Sequence, residues 1–286
     1  HNNNSRSHMP NLSSIAENGT EFANTFTCAS NTDPSITSIL TGRYPKRTVY
    51  HHGKLVTDSE KHKIEQVTSL PENLSQAGLH TLAIGQSLKR WHSQGFDRYP
   101  GTEESDYQTS IMDMARYTFD LLNSVSPRFG SMCRSIWGLS NRDFVSDTVV
   151  QDYNPTTLLS QVESEPFFGF IHLMDTHMPY IGTIGDFDTI VEEYEYPNES
   201  LKSYATRQSL TDAQHDRLND AMSTLNLSNI GELIALYDAA VRRADRKVGN
   251  LVNTLKKHNK WENTALFVTS DHGESLLEND IHIDHH

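Results

Sequence analysis

From Leu233 onward the apolar residues Tyr237, Val241, Ala244, Val248, Leu251 and Leu255 recur three or four positions apart. That spacing puts them on one stripe of a long helix. Phe167 to Leu173 is instead a continuous apolar run around His172, as expected of a strand covered on both faces. Thr81-Leu82-Ala83-Ile84 predicts another strand, reached from a helix over 70–77. Trp261-Glu262-Asn263 turns the chain into a third strand, which ends at Phe267-Val268-Thr269-Ser270. Between 102 and 155 the pattern is mixed: Met112 to Leu122 has helical spacing, and the remainder reads as a surface insertion. Strands alternating with helices predict an α/β domain built on a mostly parallel sheet. No internal repeat or low-complexity linker interrupts it, so one domain over residues 1–286 is expected.

The ends of these elements hold the candidate chemistry. Asp271-His272-Gly273-Glu274 follow the last apolar run directly. In an open α/β sheet, side chains just past a strand's carboxyl end reach into the ligand crevice, and Gly273 would permit a sharp turn there. A carboxylate beside an imidazole suits a divalent cation that activates an oxygen nucleophile. Asp is also a common helix cap, and this motif alone leaves both readings open. Upstream, Pro34 fits the first turn of a short helix, Gly42 its C-terminal cap and Pro45 a stop. Thr32 then lies just before the helix N-terminus, where unpaired N–H groups and the dipole stabilise an oxyanion. Its hydroxyl is a candidate nucleophile, and equally an ordinary cap.

Taken together, Thr32-Asp33-Pro34-Ser35-Ile36 with Leu40-Thr41-Gly42-Arg43, and Ser270-Asp271-His272-Gly273-Glu274, resemble the sulfatase branch of the alkaline phosphatase superfamily. Its signature is Cys or Ser, any residue, Pro-Ser-Arg, three residues, then Leu-Thr-Gly-Arg. Further segments are similar to it: Pro10-Asn11-Leu12 through Glu17-Asn18-Gly19 and Phe22, the turn Gly95-Phe96-Asp97, Asp175-Thr176-His177-Met178-Pro179-Tyr180, and Tyr237 through Gly249. The resemblance implies an alkaline-phosphatase-like three-layer sandwich, with the chain incomplete at both ends. It also implies a metal-dependent ester hydrolase acting on an anionic sulfuric or phosphoric ester.

Two departures bear on the chemistry. Thr32 stands where the family has Cys or Ser, and Ile36 where it has Arg. Usual sulfatases convert Cys or Ser to formylglycine, and Thr cannot give that aldehyde. Thr32 resembles instead the phosphodiesterases, nucleotide pyrophosphatases and lipoteichoic acid synthases of the superfamily, so phosphodiesters or phosphonate esters are the favoured substrates. A true sulfuric ester hydrolase, a phosphoglycerol- or phosphoethanolamine-type transferase, and an inert binding module are the alternatives. Cys28 lies out of register and reads as a small buried residue at a strand end. The first Asp of the chain is Asp33, so the opening metal-binding strand of the superfamily has no counterpart here. Two ligands fall short of the usual coordination number.

The resemblance assigns metal binding to Asp271, His272 and Thr32, nucleophilic attack to Thr32, and leaving-group protonation or anion binding to His177. A lone His after a strand is also commonly structural. One or two divalent ions are implied; imidazole favours Mn²⁺ or Zn²⁺, with Ca²⁺ or Mg²⁺ acceptable. His285 and His286, with His282, resemble a late substrate-binding His, although a solvated terminal tract fits as well. His172 is assigned to packing and Asp245 to a structural hydrogen bond. Lys89-Arg90-Trp91-His92 is similar to a sulfatase motif but stands too close to Gly95-Phe96-Asp97, so the match is read as accidental.

Charge narrows the partners. A formal net charge of −13 leaves no basic stripe for a nucleic-acid backbone. No stretch is long and apolar enough to span a membrane, and no leader peptide is visible. Sequons at Asn3, Asn11, Asn18, Asn73, Asn198 and Asn226 are compatible with export but follow from an Asn- and Ser-rich composition. Cys28 and Cys133 decide nothing about redox compartment.

Overall fold

The computed structural model describes residues 8–52, 55–85, 91–99, 156–160, 162, 165–177, 180, 184–200, 202–204, 212, 216, 219, 227 and 229–274. The helix expected over Met112 to Leu122, the surrounding insertion, Cys133, and the histidines 282, 285 and 286 lie outside them. In chain order come α1 (Pro10–Glu17), α2 (Thr32–Thr41), α3 (Asp58–Glu65), α4 (Leu70–Gln76), β1 (His80–Gly85), α5 (Thr156–Ser160), β2 (Phe167–His172), α6 (Ile184–Glu193) and α7 (Ile230–Lys257).

β1 and β2 pair in parallel, from His80 opposite Phe167 to Gly85 opposite His172. Parallel neighbours need a long crossover. α5 covers the pair from one side, Leu158 packing with Leu82 and Ile84. α2 covers it from the other, Ile36 and Leu40 meeting Ala83 and Tyr99. The turn at Gly95-Phe96-Asp97 is locked to β1, because the Asp97 carboxylate accepts from the Thr81 amide at 2.8 Å and the Thr81 hydroxyl at 3.0 Å. These bonds, the backbone one foremost, hold its pKa below the ordinary aspartate range.

Two expectations about the sheet need correcting. β2 is half-buried rather than covered on both faces. Among the described residues the sheet has two strands, so one flank of β2 has no neighbour. The third strand is absent: residues 264–270 join no ladder among the described residues, and Phe267 is 89% exposed. Packing, rather than β-propensity alone, fixes a strand, and nothing described covers this one.

α7 starts where Asn229 accepts from the Glu232 amide at 2.9 Å. Its buried stripe runs through Leu233, Leu236, Ala239, Ala240, Val248, Leu251 and Leu255. Tyr237, Val241 and Ala244, expected on that stripe, are half-buried at its margin. Ala235 and Ala239 meet Ile190 of α6, and Arg242 pairs with Glu193 at 2.6 Å. The near end of α7 packs on Tyr180 and Tyr204.

α1 has no side-chain cap from Met9. Its opening amides are satisfied instead by Asp245 of α7, which accepts from Asn11 N at 3.1 Å, Leu12 N at 2.8 Å and Asn11 Nδ2 at 2.7 Å. A carboxylate at a helix N-terminus satisfies unpaired donors and the dipole together. Asp245 is therefore the structural residue the sequence suggested.

Candidate active site

α2 opens at Asn31 and closes at Gly42, whose φ of 64° and amide bond to Ser38 O at 2.8 Å form the expected left-handed cap. Thr32 is the first residue of the helix rather than the one before it, and only 3% exposed. Ile36, at the family's Arg position, is a core side chain packed on Ala83 and Tyr99. It therefore takes no part in the cavity.

Thr32 Oγ1 lies 3.2 Å from His272 Nε2. His272 Nδ1 lies 2.9 Å from the Gly273 carbonyl, which accepts only, so Nδ1 carries a proton. Nε2 then presents a lone pair, and the Thr32 hydroxyl donates to it. Asp271 Oδ2 stands 3.3 Å from the same Nε2 and 3.9 Å from His172 Nε2. This oxygen is buried and accepts no hydrogen bond among the described residues. Lone pairs of Asp271, His272 and Thr32 thus converge at one place, which fits a cation. The set is small: among the described residues no group of three or more His, Cys, Asp or Glu is arranged to hold a metal.

Segment 271–274 reaches this position without a ladder. The Thr27 hydroxyl donates to the Asp271 carbonyl, the Ser270 hydroxyl to the His272 carbonyl, and Tyr180 Oη to Glu274 Oε1 at 2.8 Å. Gly273 has no positive φ and a Cβ there would meet nothing, so the glycine is not needed for the turn that was expected of it. A cavity of about 480 Å³ opens over these groups, lined by Thr32, His172, His177, Tyr237, Asp271 and His272 among others.

His172 is not a packing residue. It ends β2 in the cavity wall, and Gly85 opposite is required by contact, since a Cβ there would lie 2.7 Å from His172 Cβ. Burial pushes the His172 pKa down, partly offset by Asp271, which favours a neutral imidazole. The expected His177 lines the same cavity. Its loop is clasped to α7 through Asp175, which meets Lys247 Nζ at 2.8 Å and Arg243 Nε at 3.1 Å.

Sequence reasoning missed the support beneath Thr32. His52 Nδ1 lies 2.8 Å from Asp33 Oδ2, and Asp33 is fully buried. His92 Nε2 is 3.3 Å from both the Asp33 carbonyl and Thr37 Oγ1, so it braces the first turns of α2. Lys89 and Arg90 lie outside the described residues. Cys28 is exposed at a bend, not buried at a strand end.

A family model described as Sulfatase matches residues 1–286. An arylsulfatase of Clostridium perfringens is 23% identical, over 93% of this chain and 58% of that protein. A sulfatase of Formosa agariphila is 25% identical, over 94% and 54%, and a choline-sulfatase of Rhizobium meliloti 22%, over 95% and 54%. The chain spans about half the length of the curated relatives it matches. With the Thr32 helix and an Asp-His pair meeting over one cavity on an alkaline-phosphatase-like α/β fold, and with a family match along residues 1–286, the chain belongs to the sulfatase family.

Proposed function

We propose that this chain carries the catalytic centre of a sulfuric- or phosphoric-ester hydrolase in which Thr32 is the nucleophile. The contact of Thr32 Oγ1 with His272 Nε2 at 3.2 Å is the observation that carries this reading. A hydroxyl needs a base or a cation to attack at neutral pH, and the Gly273 carbonyl fixes the tautomer in which Nε2 offers its one lone pair, to the hydroxyl proton or, in its place, to a bound cation. Thr32 also sits at the N-terminus of α2, whose amides favour developing negative charge on the ester's nonbridging oxygens. His177, on the cavity wall, is suited to give a proton to the leaving oxygen.

Asp271, His272 and Thr32 would hold a divalent cation, Mn²⁺ or Zn²⁺ by ligand type and Ca²⁺ or Mg²⁺ as harder alternatives. When bound, it supplies positive charge that stabilises the Thr32 alkoxide. Water then resolves the covalent ester on Thr32; an acceptor alcohol would make the enzyme a transferase.

Two observations bear on the substrate. The kinship with arylsulfatase and choline-sulfatase supports a sulfuric ester. The threonine itself supports phosphodiesters and phosphonate esters, because it cannot become formylglycine. A matched panel of p-nitrophenyl sulfate, bis(p-nitrophenyl) phosphate and a p-nitrophenyl phosphonate decides between them, with EDTA and added Mn²⁺ as controls. Turnover of the phosphorus esters, lost in Thr32→Ala, is expected. Sulfate as the best substrate would select the sulfuric-ester reading, and full activity in Thr32→Ala would remove the nucleophile. No turnover of any ester would leave a binding module.

A further inference from the structure

Asp271 and His272 stand in a segment with no sheet ladder among the described residues, yet His272 Nε2 lies 3.2 Å from Thr32 Oγ1 and 3.3 Å from Asp271 Oδ2. Something other than strand pairing must hold them. We propose that Tyr180 and Glu274 are a positioning pair that fixes the Asp271–His272 segment and the His177 turn against one another, a role that rests on the catalytic reading above.

Tyr180 is fully buried, and its hydroxyl donates to Glu274 Oε1 at 2.8 Å. A hydrogen bond to a carboxylate is stronger and more directional than one between neutral groups. Glu274 stands two residues after His272, so this bond pins the far end of the segment. The near end is held by Thr27 at the Asp271 carbonyl. On the other side, the Tyr180 amide donates to the His177 carbonyl at 2.9 Å, tying the two residues together. The Tyr180 ring stands edge-on to Tyr237 at 5.3 Å and 85°, and Tyr237 lines the cavity. One residue therefore touches both banks and the wall between them.

Its backbone adds an independent observation. Tyr180 has φ of 55°, a left-handed conformation that a bulky side chain adopts only when its surroundings impose it. The cluster of Leu233, Leu236 and Ala240 from α7 supplies those surroundings. A buried tyrosine that merely found an acceptor would not require this backbone.

Tyr180→Phe keeps the ring and removes the hydroxyl. In this variant kcat should fall about 10- to 100-fold, and the Mn²⁺ dissociation constant, measured by calorimetry without substrate, should weaken by a similar factor. KM should stay within about twofold, because no group that touches the ester has changed. Glu274→Ala should match it in kcat and Mn²⁺ affinity, and Glu274→Gln, which keeps an acceptor oxygen, should recover most of the loss. In the Tyr180→Phe/Glu274→Ala double variant the losses should not add. Losses that add, or a lowered Tm with kcat and Mn²⁺ affinity unchanged, overturn the proposal. Amide exchange of the metal-free protein separates this idea from the catalytic reading. If the parent neither binds Mn²⁺ nor turns over any ester, that reading fails. The positioning pair then still stands if Tyr180→Phe speeds exchange at 271–274 about tenfold while 233–240 is unchanged. Unchanged exchange at 271–274 removes it.

Discussion

At the scale of single residues, the site separates groups by what each can do with a proton. His272 is held as an acceptor towards Thr32, and the proposed mechanism gives His177, on the cavity wall, the proton that goes to the leaving oxygen. His177→Ala should lower turnover by about two to four orders of magnitude, the usual span for one acid–base group. The deficit should shrink for esters with acidic leaving groups, which need little protonation. A Brønsted plot of kcat/KM against leaving-group pKa tests this, and parallel lines for parent and variant would refute the acid role. Thr32, His177, Asp271 and His272 could be picked out of the sequence as candidates because each stands in a short polar motif next to a Gly, a Pro or an apolar run, and the structure lines one cavity with all four. His172 could not be picked out. An imidazole inside a run of aromatic and aliphatic residues reads as packing, and the pairing of β1 with β2 that carries it to the cavity is not local. His52 escaped notice for the same reason: its partner Asp33 is 19 positions away, across a turn whose course no short motif encodes.

Elements follow the sequence where their ends are chemically marked. α2 has its left-handed glycine, α3 and α4 each have a capping box, from Thr57 with Glu60 and from Ser69 with Glu72, and α7 has Asn229. Asn229→Ala should therefore cost about 1 kcal/mol. Urea unfolding followed at 222 nm measures it, and a change below a few tenths would show that the cap is replaced by other donors. The apolar run before Asp271 was misread for a physical reason. β-branched and aromatic residues favour a strand only when something covers them, and Phe267 and Val268 remain exposed.

For the whole molecule, the acid side of the stability curve is set by carboxylates held in their charged form by preorganised amide and hydroxyl donors. Glu60 is the strongest case. Burial raises its pKa, but amide bonds from Thr57, Tyr50 and His51 and the Thr57 hydroxyl together pull it far below its ordinary 4.5. A depressed folded pKa gives stability that is present above the unfolded value and lost as pH falls through the folded one. Glu60→Gln should thus unfold more easily at pH 7, and its stability should decline less steeply than the parent's from pH 4.5 downward. Urea midpoints at several pH values give the two slopes, and parallel curves would refute the assignment. The α/β class was legible as a whole, but the closure of its first helix was not. Asp245 receives the amides of Asn11 and Leu12 across 234 and 233 positions. During synthesis, at about 5–20 residues per second, α1 leaves the ribosome some ~10–50 s before its acceptor exists. For that interval α1 has its amides in water and its apolar face uncovered, so a chaperone that binds nascent chains has a natural target there.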